Sequence, residues 1–146
     1  MDQHKIDNFL KANPVASFPS FVKLSPDECS AVRAKVAEKL GLDAQAPPLQ
    51  VVKALSEKVG RELLGHVPEE GNPDLSIVLP RLPRGTDDVL VNWYRFDDID
   101  RLNLNDLFAH FDDIWYPGVD DIEIFDDACK WFLFVSHDGV MDLLTM

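Results

Sequence analysis

Cysteine is nearly missing from this chain: Cys29 and Cys129 are its only two, and they form no C-x-x-C pair. Two free thiols in a reducing cytosol are the simpler expectation over a single disulfide. Long hydrophobic runs are missing too, since no stretch approaches the ~18 apolar residues that a membrane helix needs. The opening MDQHKIDNFLKANPVASF has no basic flank before an apolar core, so no signal peptide is expected. The most telling shortage is of basic residues. Residues 71–146 hold five Lys/Arg against sixteen acids, whereas residues 1–70 hold nine against ten. Of those sixteen acids fifteen are Asp, and Glu123 is the exception. A formal charge of −12 repels phosphates and anionic membranes. It therefore excludes nucleic acid and membrane as favoured partners, and it attracts a basic protein surface.

What is present is enough for a core. A hydrophobic fraction of 46% in 146 residues is that of a folded protein needing no metal or disulfide staple. The spacing predicts helices in the first half: Asp2–Lys11, a helix from the Ser25-Pro26-Asp27-Glu28 start signal to a stop at Gly41, and one from Pro47-Pro48. The third carries Val52, Leu55, Val59 and Leu63 inward before the loop GHVPEEGNP.

The second half reads as strands. Leu75–Pro80 and Val89–Phe96 flank the loop RLPRGTDD, and a short helix follows, capped by Asn103 or Asn105 with Leu107, Phe108 and Phe111 inward. Tyr116-Pro117-Gly118-Val119 matches a type II turn. Asp121–Phe125, Lys130–His137 and Val140–Thr145 then form a meander whose last hairpin is signalled by Asp138-Gly139, a type I′ pair. The expectation is α+β: one domain over 1–146, mainly helical over 1–66 and mainly β over 74–146 with a short helix near 104–114. Its N-terminal helices pack on a mostly antiparallel sheet of about five strands.

Three Phe-Asp-Asp triplets begin at Phe96, Phe111 and Phe125. They are not a repeat, because the expected contexts differ: a strand end, a short helix, a strand closing into a turn. They are a poor cation site as well. Asp97–Asp100 resembles the start of a calcium loop but lacks its glycine and distal glutamate. His110 with Asp112 and Asp113, and His137 with Asp138, supply mixed nitrogen and oxygen ligands that no spacing forces together. Turn and cap chemistry accounts for Asp over Glu, since the short carboxylate accepts backbone N–H groups. It leaves the shortage of balancing cations unexplained.

Signatures of catalysis are missing. The chain has no nucleophile elbow, phosphate-cradling glycine loop, H-E-x-x-H or Cys–His pattern. Acid–base work by paired carboxylates requires one of them buried, and doublets at turns are the opposite environment. Among the aromatics, Trp131 is expected in the core, whereas Trp115 and Tyr116 precede a Pro-Gly turn and suit the rim of an interface.

The stretch DDIWYPGVDDIEIFDDACKWFLFVSHDG, residues 112–139, resembles a C-terminal pattern in small, largely uncharacterised bacterial proteins, some of them immunity proteins of toxin systems that bind and neutralise a cognate toxin. Trp115, Tyr116, Pro117, Asp120, Asp121, Phe125, Asp126, Trp131, His137 and Gly139 carry it, over about a fifth of the chain. The resemblance implies a cytoplasmic toxin-binding role and no catalytic residue.

The leading expectation is a non-enzymatic acidic binding protein of the immunity or inhibitor kind, without cofactor or metal. Asp97, Asp98, Asp112, Asp113, Asp120 and Asp121 would face a basic partner, possibly a toxin, with Trp115 and Tyr116 as anchors. One alternative is a metal protein or metal-dependent enzyme using His110, His137 and nearby Asp. Another is an accessory protein whose acids serve solubility. The first reading requires these carboxylates to cluster outward without compensation by Arg81, Arg84, Arg95 or Arg101.

Overall fold

Ser25 opens the most clearly signalled helix. Its hydroxyl accepts the Glu28 N–H at 3.3 Å while the Glu28 carboxylate accepts the Ser25 N–H at 2.8 Å, the reciprocal cap written into the sequence. The computed structural model describes residues 1–68, 72–83 and 85–146. Six helices are described: α1 Gln3–Ala12, α2 Pro26–Lys39, α3 Pro48–Ser56, α4 Leu75–Val78, α5 Leu104–Ala109 and α6 Phe111–Ile114. The strands are β1 Phe21–Lys23, β2 Arg61–His66, β3 Asp88–Tyr94, β4 Asp98–Asn103, β5 Ile122–Phe125, β6 Trp131–Val135 and β7 Val140–Thr145. They form one antiparallel sheet in the order β1-β4-β3-β5-β6-β7-β2.

The fold is α+β, and the sheet is covered on both faces. Residues paired directly across antiparallel strands project to the same side. One row runs Val91, Ile124, Leu133 and Leu143, and packs on a rear face against α4, α5 and α6 through Val78, Leu107, Phe108 and Phe111. The next row, Leu90, Phe125, Phe132 and Leu144, packs on the front face under α2 and α3 through Cys29, Val36, Val51 and Leu55. This explains why Lys130–His137 is apolar on both sides: β6 lies inside a three-layer stack. Trp131 is 1% exposed, in the core as expected.

Several elements depart from the sequence reading. The helix from Pro47-Pro48 ends at Ser56, leaving Val59 86% exposed, and Leu63 belongs to edge strand β2, 64% exposed. Leu75–Pro80 is helical, not a strand, because the Asp74 carboxylate accepts the Ser76 N–H at 2.8 Å and starts a turn of helix there. The strands β1, β2 and β4 bring the count to seven. The final hairpin turns one residue earlier than a type I′ Asp138-Gly139 pair would. The Gly139 N–H bonds the Ser136 carbonyl at 2.8 Å, which places His137 and Asp138 at the centre and Gly139 after them with φ 82°. Tyr116–Val119 turns as expected, with Gly118 at φ 77°. Residues 69–71 of the loop GHVPEEGNP and Arg84 of RLPRGTDD lie outside the described residues.

The Phe-Asp-Asp triplets share one packing habit in three settings. Phe96, Phe111 and Phe125 are all 0% exposed, so each phenylalanine plugs the core and turns its aspartates outward. Phe96 does so at a cost. It shares the β3–β4 turn with Arg95, both at positive φ (59° and 52°), where Asn-Gly is the usual pair. The Phe96 N–H is held by Asn92 Oδ1 at 2.8 Å and its ring meets Phe125 edge-on at 6.0 Å, which offsets roughly 1–2 kcal/mol of strain per residue.

Candidate functional site

Beyond the row Leu90-Phe125-Phe132-Leu144 the front face continues for one more step, Asn92-Glu123-Phe134-Asp142. This row turns polar beyond the apolar layer that α2 and α3 cover. A cleft of about 170 Å³ opens there, lined by Ser56, Arg61, Asp121, Glu123, Phe134, Ser136 and Asp142 among others. Asn92 is 1% exposed and donates its amide N–H to Glu123 Oε2 at 2.6 Å while its carbonyl holds Phe96. The Glu123 carboxyl is thereby tied to the strained hairpin. Burial pushes its pKa up to about 7, against the opposing pull of the Asn92 hydrogen bond and the Arg61 charge.

Arg61 is the cation of the cleft, held over the aromatic ring between its acids. Its guanidinium lies over the Phe134 ring at 3.7 Å and donates from Nη2 to the Leu55 carbonyl at 2.9 Å. Its Nε is buried without a partner, and burial pulls the guanidinium pKa down. Among the described residues Arg61 makes no ion pair with Asp121, Glu123 or Asp142. At the rim, burial works against the Asp121 carboxylate, but bonds from the His137 N–H (2.7 Å) and ring (Nδ1, 3.0 Å) outweigh it and hold its pKa down. The same bond raises His137. A cationic group entering such a pocket would meet three acids, one of them with its pKa raised to about 7. Among the described residues the pocket's two lining hydroxyls bond backbone groups: Ser136 Oγ accepts the Val140 N–H at 3.2 Å and Ser56 Oγ donates to the Lys53 carbonyl at 2.8 Å.

No family model, curated protein or solved structure matches this chain. The site rests on its own geometry.

The residues singled out from the sequence are divided by that geometry. Asp97 pairs with Arg33 at 2.6 Å, Asp98 with Lys23 at 3.0 Å, and Asp120 with Lys5. Cations from the first half of the chain thus neutralise acids of the second, a compensation invisible when the halves are counted separately. Of the arginines considered as neutralisers, Arg101 binds Asp127 with two bonds of 2.7 and 2.9 Å, Arg81 reaches Glu62 at 3.4 Å, and Arg95 stacks on Tyr94 at 4.3 Å. Trp115 is not a rim anchor. It is 4% exposed, stacked on Phe111, with Nε1 bonded to the Asp120 carbonyl at 2.8 Å. Tyr116 is half-buried against Lys5. Asp112 is exposed, and burial, with repulsion from Asp112, raises Asp113.

His110 and His137 do not share a ligand set. His110 lies 3.8 Å from Asp113 and edge-on to Phe9, whereas His137 belongs to Asp121 and Asp138. Among the described residues no three His, Cys, Asp or Glu side chains converge as metal ligands. No helix of the described residues is long and apolar enough to cross a membrane. Of the eight aspartates and aromatics chosen from sequence only Asp121 lines the cleft; Glu123, Asp142 and Arg61 were missed. A signal existed for Glu123: it is the lone glutamate among the later acids, and the alternation Ile-Glu-Ile turns it away from the rear core.

Proposed function

We propose that this chain is a non-enzymatic protein-binding module whose front cleft receives a cationic side chain of a basic partner, in the manner of an inhibitor or immunity protein. The observation that carries this reading is the excess of acid in the cleft: Asp121, Glu123 and Asp142 line one cavity with, among the described residues, a single lining cation, Arg61, which lies over Phe134 and bonds the Leu55 carbonyl. A desolvated pocket of this sign gives an incoming guanidinium or ammonium a strong charge-assisted contact. The overall charge of −12 would speed encounter, and the effect would weaken with salt. The resemblance of residues 112–139 to small bacterial proteins, some of them immunity proteins, supports the same reading, and the two unpaired, buried thiols fit a reducing cytoplasm.

The test is capture from the source organism by the native chain and by the triple variant Asp121→Asn/Glu123→Gln/Asp142→Asn. The native chain should retain a basic protein whose association slows by ~10-fold or more as salt rises, and the variant should lose it. A variant that binds equally well, or an association rate indifferent to salt, would refute the reading and leave the acids to solubility.

A further inference from the structure

Asn92 decides which oxygen of Glu123 can carry a proton. Asn92 Oδ1 accepts the Phe96 N–H at 2.8 Å, and a backbone N–H can only donate, so the amide cannot turn round. Its NH2 group, which has no acceptor, therefore faces Glu123 Oε2 at 2.6 Å. A proton on Oε2 would point at that donor, so the neutral carboxyl carries its O–H on Oε1. Among the described residues no other side chain donates to Oε1, and it stays open to the cleft. The charged groups around it are Asp121 on β5 itself, held by His137 of the β6–β7 turn, Asp142 on β7 and Arg61 on β2. The other elements present uncharged groups: Asn92 from β3, Phe134 from β6 and Ser56 from α3. A second unmet group lines the same cavity. Arg61 Nε is buried with no partner, a donor awaiting an acceptor oxygen.

We propose that the cleft exchanges a proton for a cation: the guanidinium or ammonium of a peptide-borne basic residue donates to Glu123 Oε1 and displaces the proton held there. This rests on the reading of the cleft as a surface for a basic partner and adds how that surface is regulated. The exchange balances. The O–H bond of the neutral carboxyl breaks, its proton passes to water, and a carboxylate paired with the cation remains. A basic residue also brings the peptide oxygen that Arg61 Nε lacks. Burial disfavours the Glu123 carboxylate and lifts its pKa to about 7, whereas a cationic donor at Oε1 supplies the charge and hydrogen bond that favour the ion. Bound cation and bound proton thus oppose one another. Affinity is low where Glu123 is neutral, rises as pH passes through about 7, and levels above it. His137, raised by its bond to Asp121, loses its own charge in the same direction and adds to the rise from outside the cleft.

The probe is Nα-acetyl-arginine methylamide, titrated into the full chain at constant ionic strength between about pH 5.5 and about pH 8. Binding is followed by the Glu123 carboxyl carbon and Arg61 Nε–H resonances. Saturable binding should tighten ~10-fold across this range, and the Glu123 carboxyl should titrate at lower pH in the saturated chain. Glu123→Gln keeps Asp121 and Asp142 and should still bind, but it should lose most of the pH dependence, retaining only the part that His137→Gln removes. Saturable binding with the same pH profile in the native and Glu123→Gln chains would overturn the exchange while leaving the cation-accepting cleft in place. No saturable binding to the native chain near about pH 8 would overturn both.

Discussion

Glu123→Gln should make this protein more stable, and only above mildly acidic pH. In the native state burial lifts the Glu123 carboxyl from 4.5 to about 7, so between those values the folded chain holds a proton that the unfolded chain has released. Stability then falls as pH rises through that interval and levels above it, the loss approaching about 3 kcal/mol. Glutamine has the same shape, cannot ionise and still faces the Asn92 amide. The variant and the native chain should unfold alike near about pH 4 and differ by about 2–3 kcal/mol near about pH 8, the variant being the more stable. Urea denaturation across this range measures the difference directly. His137 and Asp113 also titrate with shifted pKa values, but both are present in the two proteins and drop out of the comparison. A difference independent of pH, or a variant less stable near neutrality, would show that the Arg61 charge cancels the burial of the carboxylate, and the cleft would have no excess of acid at Glu123.

Phe96→Ala should cost about 3–5 kcal/mol by denaturation, because a ring 0% exposed leaves a cavity beside Phe125 and the strained turn loses its anchor; a loss under about 1 kcal/mol would refute that role. Neither thiol should react with a disulfide reagent in the folded protein: burial raises Cys29 and pushes Cys129 up to about 11, and both should label once the chain is unfolded in urea.

Local chemistry that a few adjacent residues complete was readable from the sequence. The Ser25–Glu28 cap, the Asn103 cap of α5, the Pro-Gly turn and the doubly apolar β6 are of this kind. Elements decided by a distant partner were not. Arg61–His66 continues a helical spacing, yet it becomes a strand because β7 offers a free edge some eighty residues later in the chain. Strand β4, Asp98–Asn103, is too polar to suggest a strand, and its buried Asp100 is explained by partners distant in sequence or across the hairpin, the Met1 ammonium and Trp93 Nε1. The aspartate patch failed for the same reason. Its neutralising partners Lys5, Lys23 and Arg33 come from α1, β1 and α2, and a one-dimensional charge count cannot place them there. The cleft needed the register of four strands to become visible.

The two outermost strands of the sheet, β1 and β2, are both supplied by residues before 70, while the five between them come later. The early part of the chain therefore waits for the late part: β2 has no ladder to join until β7 exists, and β1 none until β4 does. Closing such long loops is slow, and a nascent chain would carry these segments unzipped through most of its synthesis. A cut near residue 70 would yield two fragments, neither with a finished border, that could regain the native form only by finding each other.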